Sequence, residues 1–453
     1  MARKFISSKL CVQYAMVNDI IETALEAVDP YRCTQKFINL TDSYLKIGNE
    51  TYIMNEIGDI YVLGTGKAVL PMTQAVCNVL GDHLAGGVII GKHADSQILD
   101  KLPHSIQVHF GDHPVPSERS FESAQKMTAF TDRMKAKDLV ICLISGGGSS
   151  LMTLPVETVS LADMQEVTRQ LLFSGATINE VNAVRKHLDK IKGGGLAKYV
   201  WPAKLTTLVL SDVIGDSLDA IASGPTVPDA STYSDVLLII HKYQLESSIP
   251  ENVLLYIKAG KNGQIPETVK SDDECMQAAH TYIVGSLTLS IQAAAKKAAQ
   301  TGFNTRILTS ELTGEAREVG EKLAGELLLM AGELNSDGKP GLLIAGGETT
   351  VTVKGEGKGG RNQEASLSAA KELKGCPNCL FISLATDGED GPTDAAGAAV
   401  NGFTITKGIE QGLDADEYLE RNDAYHYLEA VDSLIKIGPT GTNVNDLVFA
   451  FAF

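Results

Sequence analysis

Short runs of apolar residues alternate with longer amphipathic stretches along most of this chain. In "DIYVLGTGKAVLPMTQAVCNVL", the apolar run predicts a buried strand, the glycines predict a tight turn, and the remaining residues predict a helix. "DLVICLISGGGSSLM" repeats this order, and "GGVIIG" and "SIQVHFGDHPVP" predict further strands. Strands that alternate with helices are typical of α/β proteins with largely parallel sheets, so we expect the α/β fold class.

The length of the chain and a change in its composition near the middle predict two domains. The 453 residues exceed what one hydrophobic core usually organises. After about residue 225, prolines become frequent and the polar stretch "PETVKSDDE" follows. We therefore expect one domain at residues 1–265 and a second at residues 266–453.

The composition excludes several classes of function. A formal net charge of −17 excludes nucleic acid as the main partner, because phosphate backbones are held by clustered Lys and Arg. No run approaches the ~20 apolar residues of a membrane span. Polar residues interrupt the N-terminal segment too often for a signal peptide. We therefore expect a cytoplasmic protein that binds neither nucleic acid nor membranes.

Seven cysteines are scattered over the chain, which is unlike a disulfide scaffold. "CPNC", from Cys376 to Cys379, has the spacing of a redox motif or of half a metal site. No second pair stands nearby, so we expect structural thiols.

The stretch "LISGGGSSLM" places three glycines and two serines directly after an apolar run. In open α/β sheets, ligands bind beyond the carboxyl ends of the strands. Glycines there let backbone N–H groups approach a carboxylate or phosphate, and the following helix contributes the positive end of its dipole. The alternative is a tight turn that binds nothing. The residues of this loop are Ser145, Gly146, Gly147, Gly148, Ser149 and Ser150.

Two further glycine-rich loops carry basic residues. Lys67 in "GTGKA" stands on the first turn of a predicted helix, in a pattern that fits neither a Walker A loop nor a good dinucleotide fingerprint. The glycines from Gly355 to Gly360 do fit G-x-G-x-x-G, which keeps a nicotinamide-dependent reductase open as an alternative. Lys358 and Arg361 add positive charge to that loop, and such charge suits the polyphosphate of a phosphoryl transfer. A surface hairpin is the other interpretation.

Carboxylates also follow predicted strands, in "SDVIGDS", "GGETT" and "TDGEDGPTD". Carboxylate oxygens are ligands that Mg²⁺ prefers. Solvated loop residues are the alternative for each of them, but their position beside basic glycine-rich loops favours a magnesium site. The residues are Asp212, Asp216, Glu348, Asp387, Glu389 and Asp390.

Eight motifs occur in one order from about residue 10 to the C-terminus: "GTGKA", "DHPVP", "LISGGGSSL", "NAVRKHLDKIKGGGLA", "LSDVIGDSLDAIASGPTVPD", "GGETTVTVKGEGKGGRNQEASL", "ATDGEDGPTDAAGA" and "GPTGTNVNDL". Together they resemble the glycerate 2-kinase family, whose C-terminal portion is called MOFRL. The resemblance implies a Rossmann-like N-terminal α/β/α domain and a second, smaller α/β domain. MOFRL would span about 340–450 of the second domain, and the active site would lie in the cleft between the domains.

The same resemblance implies ATP-dependent phosphorylation of D-glycerate to 2-phosphoglycerate, with Mg²⁺. Members of the family have also been labelled hydroxypyruvate reductases, so an NAD(P)H-dependent reductase is the alternative function. A protein that binds small acids without chemistry is the third hypothesis. The partners would then be D-glycerate and ATP, and the oligomeric state stays open, with a homo-oligomer included.

The resemblance implies that Lys67, Asp212 and Arg361 are the catalytic residues. Asp212 would orient or deprotonate the 2-hydroxyl, while Lys67 and Arg361 act on the transferred group. The loop of residues 145–149 would hold the glycerate carboxylate, with the help of Arg185 or Lys192. The nucleotide is assigned to Gly357, Lys358, Gly359, Gly360 and Asn362, and the metal to Glu348, Asp387 and Asp390.

Overall fold

The computed structural model describes residues 3–7, 10–333 and 338–453. The chain forms two compact units. We call residues 30–284 the parallel-sheet unit, and residues 1–29 together with 285–453 the mixed-sheet unit.

Strands and helices alternate along the described residues, as the apolar pattern predicts. The strands are β1 (Ile38–Leu40), β2 (Tyr44–Ile47), β3 (Glu50–Ile53), β4 (Ile60–Thr65), β5 (Leu84–Gly91), β6 (Ile106–Phe110), β7 (Leu139–Ile144), β8 (Lys204–Leu210), β9 (Ala279–Gly285), β10 (Asn304–Leu312), β11 (Gly341–Gly347), β12 (Cys379–Ala385), β13 (Gly397–Asn401), β14 (Leu434–Ile435) and β15 (Asp446–Ala452). The α-helices are α1 (Tyr14–Glu26), α2 (Pro30–Lys36), α3 (Val69–Leu80), α4 (Ser96–Leu99), α5 (Glu118–Thr131), α6 (Gly148–Leu151), α7 (Leu161–Phe173), α8 (Ile178–His187), α9 (Gly195–Val200), α10 (Tyr233–Lys242), α11 (Glu251–Lys261), α12 (Glu274–Gln277), α13 (Leu287–Gln300), α14 (Ala316–Glu333), α15 (Arg361–Glu372), α16 (Thr404–Glu410), α17 (Ala415–Glu420) and α18 (Ala424–Ala430). Short 3₁₀ helices span Gly81–His83, Ile214–Asp216 and Ile221–Ser223. No helix among the described residues is long and apolar enough to cross a bilayer.

The parallel-sheet unit is built on a sheet of strand order β6-β5-β4-β7-β8-β9. β4 pairs in parallel with both β5 and β7, and the pairs β5–β6 and β7–β8 are also parallel. Every residue of β4 and β7 is buried, as expected for central strands covered on both faces. The chain leaves β4 toward β5 and β6 and then returns to β7 on the other side. The gap between β4 and β7 is therefore the topological switch point, where α/β sheets bind their ligands.

The mixed-sheet unit contains a sheet of order β10-β11-β15-β12-β13-β14. Only β10 and β11 pair in parallel, whereas β15 is antiparallel to β11 and β12, and β13 is antiparallel to β12 and β14. The expectation of largely parallel sheets is therefore wrong for this unit. The reason lies in the connections: residues 386–396, between β12 and β13, contain no helix, and a parallel return needs such a crossover.

Helices cover both faces of the mixed sheet. One apolar core joins α1 and α13 to the sheet through residues such as Ile20, Ile21 and Ile291, and the other joins α14 and α15 through residues such as Leu327 and Leu367. Because α1 packs on α13, the first 29 residues belong to this unit and not to the parallel-sheet unit. The division of the chain thus differs from the expected single boundary after residue 265.

Candidate functional site

Hydrogen bonds join the loops that follow β4 and β7 at the switch point of the parallel sheet. The amide of Lys67 donates to the carbonyl of Gly146 at 2.9 Å, and the amide of Ala68 donates to Ser145 Oγ at 3.0 Å. Gly66 admits this approach because a Cβ at its position would overlap the Ser145 side chain. The contacts between the loops therefore hold Lys67 beside the triple-glycine stretch.

Gly147 takes the left-handed conformation, with φ of 81°, and its surroundings are tight. A Cβ at this position would lie 3.0 Å from His113 Cδ2 and 3.2 Å from Lys67 Cε. Within the described residues, the amides of Gly146 and Gly147 donate to no backbone carbonyl. The expected contribution of a helix dipole is small, because α6 has only four residues. The anion-binding capacity of this loop thus rests on its unpaired amides and on the cation beside it.

Lys67 places a positive charge beside the loop. Lys67 is exposed, and no carboxylate of the described residues pairs with its ammonium group. Burial, together with the positive charges of Lys67 and Lys92, lowers the pKa of His113 to about 4. His113 is therefore neutral at pH 7, and the field that lowers its pKa also attracts an anion.

Arg185 reaches the same loop from α8, which begins with a capping box of Thr177 and Glu180. Arg185 Nη2 donates to Ser149 Oγ at 2.7 Å, and Ser149 Oγ lies 2.8 Å from Ser223 Oγ. Ser223 Oγ donates to Asn182 Oδ1 at 3.1 Å, so the Ser149 hydroxyl must donate to Ser223. This ordered chain holds the guanidinium while occupying one of its five N–H donors.

Asn182 and Ser223 are not among the residues predicted from the sequence. Asn182 stands three residues before Arg185 in "NAVRKH", and this spacing puts both side chains on one face of a helix. That spacing was the available signal for Asn182. Ser223 has φ of 61°, a conformation rare outside glycine, so its local backbone is strained.

Lys192 differs from Arg185 because its ammonium group is used within the protein. Lys192 Nζ donates to Asp189 Oδ2 at 2.8 Å, to the carbonyl of Met152 at 3.0 Å and to Thr153 Oγ1 at 3.3 Å. These three acceptors satisfy all three ammonium hydrogens, and the pair with Asp189 is buried. The geometry gives Lys192 a supporting position behind the loop, with no donor left for a substrate.

Asp212 lies beside the same loop. One residue, Ser211, separates it from the end of β8. A Cβ on Gly146 would overlap the Asp212 carboxylate, so the carboxylate lies close to the backbone of the triple glycine. Asp216 is half-buried in the 3₁₀ segment beyond, with φ of 55°. The parallel-sheet unit therefore brings together Lys67, Asp212 and the glycine-rich loop, which stand up to almost 150 residues apart in the sequence.

Arg361 begins α15 in the mixed-sheet unit and is held by two carboxylates. It donates to both oxygens of Asp446, at 2.5 and 3.1 Å, and to Glu348 Oε1 at 2.6 Å. The carboxylates flank it because Asp446 begins β15 opposite Gly347, the last residue of β11. The two carboxylates raise the pKa of Arg361. Burial raises the pKa of Asp446 to about 7, although the positive charge of Arg361 acts to lower it. Asp446 was missed, although "NVNDL" belongs to one of the eight motifs.

Asp390 caps the N-terminus of α15 and is fully buried. Its carboxylate accepts from the amides of Asn362 at 3.2 Å and Gln363 at 2.9 Å, and from Asn362 Nδ2 at 3.2 Å. Asn362 Oδ1 in turn accepts from Ser383 Oγ at 2.6 Å. Gly360 is required here because a Cβ would overlap Asp390. Asp390 and Asn362 thus hold the helix in place, and both side chains are already bonded within the protein.

The glycine-rich loop before α15 packs on the segment of residues 421–425. The amides of Gly355, Gly357 and Lys358 donate to acceptors in this segment at 2.9 Å each. Lys358 Nζ lies 4.0 Å from the centre of the Tyr425 ring. The glycines therefore serve close packing, and these amides are not available to a phosphate. The long connection between β11 and α15 is also unlike the tight strand-to-helix turn of a dinucleotide site.

The residues assigned to the metal are not grouped as a metal site. Glu348 pairs with Arg361, Asp390 caps α15, and Asp387 Oδ1 accepts from the amide of Glu389 at 3.1 Å. Among the described residues, no group of three or more His, Cys, Asp and Glu side chains is placed to hold a metal ion. An all-protein metal cage is therefore not part of the described structure.

Comparison with known protein families gives two matches along the chain. Residues 16–258 match the family described as Domain of unknown function (DUF4147), and residues 341–446 match the MOFRL family. The second match lies within the interval of about 340–450 that the sequence motifs predict for MOFRL.

Similar proteins cover nearly the whole chain. D-glycerate 2-kinase of Thermotoga maritima is 40% identical over 95% of this chain and 96% of its own length, and Glycerate 2-kinase of Pyrococcus horikoshii is 38% identical over 95% of each. The crystal structure of a glycerate kinase from Thermotoga maritima superposes with a TM-score of 0.85, at 38% identity, and covers 97% of this chain and 99% of that one. A protein of Agrobacterium vitis named putative hydroxypyruvate reductase is 39% identical over 86% of each chain.

Proposed function

Because the chain belongs to the glycerate 2-kinase family, we propose that it transfers a phosphoryl group from ATP to the 2-hydroxyl of D-glycerate. The products are 2-phosphoglycerate and ADP. The observation that carries this proposal is the loop at the switch point, where the amides of Gly146 and Gly147, unpaired within the described part of the chain, lie beside the Lys67 side chain. Such a loop suits a small substrate that carries a carboxylate.

The glycerate carboxylate is proposed to bind the amides of Gly146 and Gly147. Arg185 supports this assignment, because the hydrogen-bonded chain through Ser149 fixes its guanidinium beside the loop and leaves four N–H donors unused by that chain. Lys192 is proposed to act indirectly, by fixing the segment of Met152 and Thr153 that follows the loop.

Asp212 is proposed to orient the 2-hydroxyl and to accept its proton as the oxygen attacks phosphorus. Its place beside Gly146 supports this role, since a carboxylate bound at Gly146 and Gly147 has its 2-hydroxyl only one carbon away. Lys67 is proposed to stabilise the negative charge on the transferred group. None of the ion pairs found among the described residues involves Lys67, which suits this task because no such pair has to break first.

Arg361 is proposed to act on the same phosphoryl group. Two carboxylates fix the plane of its guanidinium, which supports a fixed donor rather than a mobile one. The proposed nucleotide contacts are the ammonium group of Lys358 and the amides of Gly359 and Gly360, because the amides of Gly357 and Lys358 are bonded within the protein.

Mg²⁺ is proposed to enter as the ATP complex. The donor set fits this arrangement, because Glu348 is exposed and Asp387 is only half-buried, so each carboxylate is accessible to a metal already bound to phosphates. Asp390 is not proposed as a metal ligand, because it is buried and caps α15. When bound, the metal would neutralise charge on the ATP phosphates.

One experiment separates the proposed kinase from the alternatives. Purified protein is incubated with ATP, Mg²⁺ and D-glycerate, and in parallel with NAD(P)H and hydroxypyruvate. Phosphorus NMR should show ADP and 2-phosphoglycerate, while the nicotinamide absorbance stays constant. Oxidation of NAD(P)H without ADP formation would support a reductase, and binding of glycerate without either reaction would support a small-acid binder. The cytoplasmic location and the oligomeric state stay predictions.

A further inference from the structure

Two thiols of the mixed-sheet unit lie almost within bonding distance of each other. Cys376 Sγ and Cys379 Sγ are 2.8 Å apart, and a disulfide bond is about 2.05 Å long. The sulfurs would have to approach by less than about 1 Å to form this bond. The "CPNC" segment, for which structural thiols were expected, therefore holds a preformed pair of thiols.

Backbone hydrogen bonds fix both ends of this segment. Gly375, in the left-handed conformation, donates to the carbonyl of Gly402 at 2.9 Å, and Cys376 donates to the carbonyl of Leu373 at 2.9 Å. On the other side, the amide of Phe453 donates to the carbonyl of Asn378 at 3.0 Å. The approach of the two sulfurs therefore follows from the path of the backbone.

Of the two cysteines, Cys376 is the more exposed. All seven cysteines lie in the described residues, and Cys376 is half-buried whereas the other six are buried. It lines an open cavity of about 720 Å³, together with Lys339, Pro377 and Phe453. This volume lies within the range of small-molecule sites in proteins.

We propose that Cys376 and Cys379 form a redox-active dithiol that low-molecular-weight disulfides oxidise to an intrachain disulfide. In the first step, the Cys376 thiolate attacks one sulfur of the disulfide RSSR, the S–S bond breaks, and one RS⁻ leaves. In the second step, Cys379 loses its proton to solvent and attacks the sulfur of Cys376, which releases the second RS⁻. Both released thiolates take up protons. The Cys376 thiol gives its proton to solvent before the first attack, so the protein loses two electrons and two protons in all, and RSSR takes up both to become two RSH.

The order of attack follows from the environment of each sulfur. Burial and the adjacent Cys376 raise the pKa of Cys379, so Cys379 is the poorer first nucleophile. Cys376 lines the cavity and is half-buried, whereas Cys379 is buried. Cys376 therefore attacks the small disulfide and Cys379 resolves the mixed disulfide.

This site is separate from the proposed kinase chemistry. Cys379 begins β12, whereas the loop that carries Asp387 and Asp390 follows the other end of that strand. Seven extended residues span roughly 20 Å. Failure of the dithiol proposal would thus leave the proposed kinase function untouched, and the reverse also holds.

The test uses the native, reduced full-length protein and oxidised glutathione as the probe disulfide. Mass spectrometry of the intact protein should show the loss of two hydrogens, and peptide mapping should place one disulfide between Cys376 and Cys379. Addition of dithiothreitol should restore the original mass. An unchanged mass in fully oxidised glutathione, or oxidation that maps to other cysteines, would overturn the proposal.

Two variants and a second reagent test the order of steps. Cys379→Ser should accumulate a stable mixed disulfide on Cys376, and Cys376→Ser should gain neither a disulfide nor glutathione. Cys275→Ser, which removes a buried cysteine elsewhere, should behave like the wild type. Phenylarsine oxide, which bridges paired thiols, should protect the wild-type pair from alkylation. A lack of such protection would contradict the proposed geometry without relying on any variant.

Discussion

Replacement of Gly147 by alanine tests the assignment of the switch-point loop, because Gly175 supplies a matched control. The two glycines have nearly the same backbone, with φ of 81° and 77°. A Cβ at Gly147 would lie 3.0 to 3.3 Å from His113 and Lys67, whereas a Cβ at Gly175 would meet no atom within 4 Å. The two substitutions therefore share the backbone strain and differ only in what the methyl group displaces.

The expected magnitudes follow from these distances. A left-handed alanine costs roughly 1–2 kcal/mol, so each variant should lose about that much unfolding free energy. In Gly147→Ala, the methyl group must also push the Lys67 side chain and the His113 ring by a few tenths of an ångström. Since a misplacement of about 1 Å can cost about 100-fold in rate, we expect a roughly 5- to 10-fold lower kcat/KM for glycerate. The Gly175→Ala variant should keep the wild-type value.

Steady-state kinetics and urea unfolding measure both effects. Glycerate is varied at saturating ATP, and ATP is varied at saturating glycerate, with ADP formation as the signal. The Gly147→Ala variant should raise the KM for glycerate and leave the KM for ATP unchanged. Equal kinetics in the two variants, or a raised KM for ATP alone, would refute the assignment of this loop to glycerate.

The remaining predictions concern catalysis, positioning, protonation and the metal. Lys67→Ala and Arg361→Ala should each lower kcat by roughly 10²–10⁵. If both residues act on one phosphoryl group, kcat measurements should show that the double variant loses less than the product of the two single losses. Arg361→Lys should rescue little, because lysine lacks the planar pair of donors. Asn182→Ala should raise the KM for glycerate several-fold with kcat nearly unchanged, because the substitution releases Ser223 and with it Arg185. An equal effect on the KM for ATP would contradict a role of Asn182 in positioning Arg185. Because the pKa of His113 is about 4 in the folded protein and 6.5 ordinarily, the unfolded chain binds the extra proton, and unfolding free energy should fall by up to about 3 kcal/mol between pH 6.5 and 4. Urea unfolding should show that His113→Asn lacks this loss. Activity should vanish in EDTA and return with Mg²⁺, so full activity in the chelator would contradict the metal proposal.

The parallel-sheet unit was predictable because its signals are local. Buried strands appear as continuous apolar runs, and a triple glycine directly after such a run marks a close approach of backbone at the strand end. The loop at Gly146 and Gly147 therefore has the place in the fold that its sequence suggests.

The mixed-sheet unit was harder to predict because its signals depend on partners far along the chain. Gly357 resembles a residue of a phosphate loop, yet it lies against residues 421–423, some 65 positions later. Asp390 resembles a metal ligand, yet its partners are the amides of a helix that begins 29 residues earlier. A sequence reveals that a glycine permits close approach, or that a carboxylate is available, but not what each of them meets.

Lys192 shows the same difficulty within the better-predicted unit. Its partner Asp189 is only three residues away, so the pair is visible in the sequence. What the sequence does not reveal is that both side chains are buried, which changes an exposed lysine into one that serves the protein interior.

The packing of α1 on α13 has a consequence for synthesis of the protein on the ribosome. α1 is made first, but the helix it packs against follows about 260 residues later. At roughly 5–20 residues per second, α1 would wait about 13–50 s with its apolar face uncovered. A fragment that starts at residue 285 would have the complementary problem, because the face of α13 with Ile291 and Ala294 would be exposed. The first 29 residues should therefore restore solubility to such a fragment when they are supplied as a separate peptide.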